Sequence, residues 1–131
     1  MAAVWADSSY ADLESAIDAE LTREGYPTIL RFGGVLVARL ISGDDIMSYG
    51  PLDAVERLDG RALYITHGTA DARLSVEYGH RLEAAARAHA VLVEAWYVDG
   101  ARHTEASKSE VVEYERRLVG FLTRSLATPA R

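Results

Sequence analysis

The run Arg61-Ala62-Leu63-Tyr64-Ile65-Thr66 sets the strongest limit on what this chain can fold into. It is short, and its centre is apolar without alternation, the pattern of a strand covered on both faces. Asp59-Gly60 before it and His67-Gly68 after it are turn-forming pairs. A strand buried on both sides needs helices above and below it, so its companions must be strands that alternate with helices. The rest of the chain supplies them. Ala2-Ala3-Val4-Trp5-Ala6 reads as a second strand, closed by Asp7-Ser8-Ser9, and residues 91–98 read as a third.

Between the strands the apolar spacing turns helical. Tyr10, Leu13, Ile17 and Leu21 fall at i, i+3, i+7 and i+11, which predicts an amphipathic helix over 9–24, with Ser8 and Ser9 as its capping residues. Gly25 stops it, and Pro27 suits the first turn of the next helix. Segment 28–42 is apolar throughout, and its length with the Arg31/Arg39 spacing predicts a largely buried helix ended by Gly43. A short helix follows over 51–58. Further helices are expected over 75–89, with Val76, Tyr78, Leu82, Ala85 and Ala86 inward, and over 109–126, with Val111, Tyr114, Leu118, Phe121 and Leu122 inward. Residues 127–131 read as a frayed tail. The expected fold is α/β: a small three-stranded parallel sheet with flanking helices, in one domain spanning 1–131.

Composition removes several functions. A net charge of −6 argues against nucleic acid and anionic membrane partners, which call for clustered Lys and Arg. With no cysteine there is no disulfide, thiolate nucleophile or Cys-bound metal. His67 and Asp71 are metal-ligand types, but no third and fourth ligands accompany them, so neither a metal nor a cofactor is expected. Gly-x-Gly-x-x-Gly and P-loop strings are absent, which disfavours nucleotide binding. No apolar run has the length of a membrane span and no leader-like segment opens the chain, so the expected compartment is the cytoplasm.

In parallel sheets, side chains that do chemistry sit in the loops after strand C-termini. That rule selects Asp71, after the 61–66 strand, and His103, after the 91–98 strand. Parallel neighbours lie about 4.8 Å apart, close enough for the two loops to bring a carboxylate and an imidazole into hydrogen-bond contact. A carboxylate that accepts the Nδ1–H fixes the tautomer and stabilises an imidazolium. His67 is read as shaping the turn before Asp71, and His80 and His89 as surface residues.

Leu63-Tyr64-Ile65-Thr66-His67-Gly68-Thr69-Ala70-Asp71 resembles the acid-bearing strand and loop of α/β-hydrolases, and Tyr97-Val98-Asp99-Gly100-Ala101-Arg102-His103-Thr104 resembles their histidine loop. Gly50-Pro51-Leu52-Asp53-Ala54-Val55 is similar to the segment before the acid strand, and Val4-Trp5-Ala6-Asp7-Ser8-Ser9 to the strand after the nucleophile helix. The resemblance covers nearly the whole chain but only the C-terminal part of such a domain. It looks nearest to the serine aminopeptidase-like and prolyl-oligopeptidase-like branches. It implies an ester, thioester or peptide-like substrate, with Asp71 and His103 as two members of a catalytic triad and excursion 8–60 as a cap or pocket region. In that reading Phe32, Leu36, Leu40, Ile41 and Met47 either wall an acyl pocket or form core.

The third member is missing. No Gly-x-Ser-x-Gly string occurs, and the oxyanion segment that precedes it is absent. Ser8 and Ser9 read as capping, Ser42 and Ser48 as turn residues, and Ser75, Ser107, Ser109 and Ser125 as helix-end residues. Two expectations remain open: a hydrolase whose serine lies outside these residues, inactive as the isolated chain, or a non-catalytic half-domain. Strand 2–6 would lack its usual neighbour, an edge expected to self-associate.

Overall fold

The computed structural model describes residues 3–89 and 92–127. Ala2, Val91 and the 128–131 part of the expected frayed tail lie outside them.

Strand β2, Ala62–Gly68, is buried at every position. It lies between β1, Ala3–Asp7, and β3, Val93–Val98, in a parallel sheet of order β1-β2-β3. Ala3 stands opposite Ala62 and Asp7 opposite Thr66; on the other side Leu63 meets Val93 and Gly68 meets Val98. The period of two divides the strand residues between two layers. Leu63 and Ile65 pack with Val55 of α3, Pro51–Glu56, with Leu58, and with Tyr78, Leu82 and Ala86 of α4, Val76–His89. Ala62 and Tyr64 pack on the opposite face against Phe121 of the C-terminal helix. There Trp5 stacks on Tyr64 at 4.0 Å between ring centroids, and Phe121 meets Tyr64 edge-on at 5.3 Å. The expected three-stranded parallel α/β architecture is present.

Several local expectations are corrected. Helix α1 is Leu13–Arg23, and its cap is Asp12, whose carboxylate accepts the Ser15 N–H at 2.7 Å. Ser8 and Ser9 lie before the helix, so they are not its caps. Helix α2, Leu30–Ser42, ends at Gly43 as expected, in a left-handed conformation with φ 76°. It is not buried: none of its residues is, because it packs against α1, to which Arg31 pairs through Glu14 and Asp18, with Arg31, Val35 and Ala38 half-buried and the other side left to solvent. The expected final helix, 109–126, is α6, Val111–Ala127; a separate short helix, α5, Ala106–Ser109, precedes it, with Glu110 between them outside helical geometry. Val111 and Leu122, expected inward, are exposed on α6. No described helix is long and apolar enough to cross a membrane.

Candidate active site

The ends of β2 and β3 deliver two interlocked loops. Thr69 N–H bonds Val98 C=O at 2.9 Å, Ala70 N–H bonds Ala101 C=O at 3.0 Å, and Gly100 N–H bonds Thr69 Oγ1 at 2.9 Å. Gly100 has φ 68°, which glycine adopts without strain. Gly68 is needed for another reason: a Cβ there would stand 2.2 Å from the Ala101 carbonyl oxygen. Only a residue without a side chain lets the histidine loop lie this close to the end of β2.

Within this frame the structure brings Asp71 and His103 together. His103 Nδ1–H donates to Asp71 Oδ2 at 2.8 Å, while Asp71 Oδ1 accepts the Arg73 and Leu74 N–H groups at 2.9 and 2.8 Å. The Asp71 side chain has no solvent exposure and that of His103 is 28% exposed. The carboxylate is thus oriented by two backbone donors, and the imidazole keeps its Nε2 for a further partner. His67 is fully buried. Its Nε2–H donates to Leu74 C=O at 2.8 Å and lies 3.4 Å from Asp71 Oδ2. It therefore pins the far end of the Asp71–Leu74 turn, in keeping with its turn-shaping assignment.

A second restraint on the histidine loop was not legible in the sequence. Ser8, at the end of β1, is buried and has φ 48°; Thr104, beside His103, has φ 54°. The two are joined by Thr104 N–H to Ser8 Oγ at 3.0 Å. Ser8 N–H in turn bonds Thr66 C=O at 2.8 Å, and Asp7 Oδ2 accepts the Tyr114 hydroxyl at 2.9 Å. Burial, and then the Asp7 carboxylate, raise the Tyr114 pKa and keep that hydroxyl protonated. The only signal in the sequence was a polar cluster after a strand, which is equally a cap signal.

Of the other candidates, Arg73 pairs with Glu20 at 3.7 Å and lines a cavity with His103, and His80 is exposed beside Glu77 and Tyr97. Among the described residues no serine hydroxyl bonds His103, and no group of three or more His, Cys, Asp or Glu is placed to hold a metal ion. His103 borders two cavities of about 940 and 310 Å³. The larger runs along β1 to α3, lined by Val4, Ala6, Val55 and Leu58 among others. Phe32, Leu36, Leu40, Ile41 and Met47 line neither. Four of these five, Phe32, Leu36, Leu40 and Ile41, are exposed, so they do not form core.

No protein-family model and no curated protein matches this chain. Among solved structures it is similar to an esterase from Pyrococcus furiosus, with a TM-score of 0.69 and 20% identity over 95% of this chain. The match takes in 45% of the esterase, so the chain spans under half its length. At that identity the likeness shows the fold: three parallel strands with flanking helices, arranged as in part of an esterase.

Proposed function

We propose that Asp71 and His103 are the acid and the histidine of a serine hydrolase triad, and that its nucleophile comes from outside these 131 residues. The carrying observation is the 2.8 Å bond from His103 Nδ1–H to a fully buried carboxylate that two backbone N–H groups already orient. A desolvated, fixed carboxylate holds the imidazole in the tautomer that presents Nε2 as a base. His103 takes the proton of a serine hydroxyl as the oxygen attacks an ester, thioester or peptide-like carbonyl, then returns it to the leaving group. Asp71 keeps the Nδ1–H bond throughout and steadies the imidazolium.

The sheet supports a position for the missing serine beside the open edge of β1. Ser8 N–H points to β2, so by alternation the amides of Ala3, Trp5 and Asp7 face the open side of β1. The 940 Å³ cavity along that side reaches His103. A strand seated there would end beside the imidazole, and apolar walls would receive an acyl or side-chain group. The 131 residues then act as one partial hydrolase domain. The branch proposed is the aminopeptidase-like or prolyl-oligopeptidase-like one, on the His-Gly-x-x-Asp loop.

The test uses two proteins: the chain alone, and the chain extended by the in-frame sequence preceding Met1. The chain alone is expected to give no p-nitrophenyl ester turnover. The extended protein is expected to label with a fluorophosphonate at one serine of the added segment, and to lose labelling in His103→Ala. Turnover by the chain alone that His103→Ala abolishes would place the nucleophile within it. Labelling indifferent to His103→Ala, or no labelled serine, would remove His103 from the chemistry.

A further inference from the structure

We infer that α2 is a self-association helix whose exposed apolar side packs against the same side of a second copy of this chain. At 3.6 residues per turn, Phe32, Leu36, Leu40, Val37, Leu30 and Ile41 occupy a continuous arc of roughly 180°. These six residues are between 51% and 81% exposed. Taking roughly 200 Å² for a whole residue of this size, they offer on the order of 750 Å² of apolar surface. The largest apolar patch on a typical monomer is about 300–600 Å², whereas one partner of a standard interface contributes about 800 Å². The patch therefore exceeds ordinary surface scatter and matches half of a dimer interface.

The chemistry of the face selects the occupant. The arc carries no charged or hydrogen-bonding side chain, so it needs no complementary partner group and can meet itself across a two-fold axis. Gly33 lies on its midline, and a Cβ there would meet nothing within 4 Å, leaving room for a partner side chain to approach the backbone. A lipid surface fits poorly. Interfacial helices carry Lys and Arg along their polar side. The two arginines of α2 are instead turned to carboxylates, Arg31 to Glu14 and Asp18 at 2.5 and 2.9 Å and Arg39 to Asp45 at 3.9 Å, in a chain of net charge −6. The inference does not depend on the triad, because the arc lies away from both cavities that His103 borders.

Sedimentation equilibrium of the full chain, over protein and salt concentration, tests it. A monomer–dimer equilibrium is expected that tightens with added salt, since both copies are acidic. Leu40→Glu should weaken the dimer at least about 30-fold, as removal of a central interface anchor does. Gly33→Gln should weaken it too while leaving the monomer as stable or more so, because it takes a glycine out of an exposed helix. Ala3→Pro, which removes an amide donor on the open side of β1, should leave the dimer intact. A monomer at every concentration would overturn the inference. So would dissociation by Ala3→Pro with Leu40→Glu still dimeric, or a monomer that floats with phosphatidylcholine vesicles.

Discussion

Replacing Gly68 by alanine adds one methyl group at the point where the two site loops touch. That carbon would sit 2.2 Å from Ala101 O, 2.7 Å from Ala101 C and 2.8 Å from Arg102 O. All three are backbone atoms, so no side chain can swing away. A relaxed C···O contact needs about 3.3 Å, so the histidine loop must retreat by about 1 Å. The bond from Ala70 N–H to Ala101 C=O, now 3.0 Å, then stretches beyond hydrogen-bond range, and the Asp71–His103 contact at 2.8 Å stretches with it. Overpacking of this kind costs about 1–3 kcal/mol and each of the two lost bonds about 1 kcal/mol more, giving about 3–5 kcal/mol in all. For a chain with a urea m-value of about 2 kcal/mol/M, the unfolding midpoint falls by roughly 1.5–2.5 M at unchanged m. Urea titration followed by circular dichroism measures that shift, and the low-field proton resonance of His103 Nδ1–H reports the site directly. A Gly68→Ala protein with its midpoint within about 0.3 M of the parent and that resonance intact would refute the close approach of the loops.

Three further outcomes follow from the packing. Ser8→Ala should destabilise by about 1–2 kcal/mol through loss of the acceptor for Thr104 N–H, and should speed amide exchange at Thr104; unchanged exchange there would dismiss the clasp. Phe121→Ala, at a fully buried ring packed on Trp5 and Tyr64, should cost about 3–5 kcal/mol in urea unfolding, and a loss under about 1 kcal/mol would contradict that packing. Burial, and then the Glu83 carboxylate that accepts its hydroxyl at 2.7 Å, raise the Tyr97 pKa far above its ordinary value of 10.0. The unfolded phenol ionises first, so this stabilisation is complete below pH 10 and declines as pH rises above it; stability should fall less steeply there in Tyr97→Phe.

The pair Asp71 and His103 was readable because each residue follows directly on a short strand, and a parallel sheet places such loops side by side. Their orientation was not. It depends on His67 reaching Leu74 C=O and on Ser8 reaching Thr104, contacts that strand-and-turn patterning does not encode. The Asp12 cap was lost to Ser8 and Ser9 because all three are good capping residues, and only tertiary pairing of Ser8 with β2 decides where α1 starts. The error at α2 has another origin. An apolar run states that a surface seeks cover, and the sequence does not say whether the cover is another part of the same molecule.

The clasp at Thr104 also bears on the order in which the fold is expected to assemble. Thr104 and Ser8 are 96 residues apart, and Tyr114 and Asp7 are 107 apart, whereas Asp71 and His103 are separated by 32. Closing longer loops carries the larger entropic penalty, so β2, α4 and β3, which follow one another along the chain, are expected to form first, with β1 docking afterwards. Asp71 lies within that segment and His103 just after it, so the two are expected to meet early, while the left-handed turn at Thr104 waits for β1. Substitutions at Ser8 should then hasten unfolding and leave the folding rate nearly untouched, the signature of a contact made after the transition state.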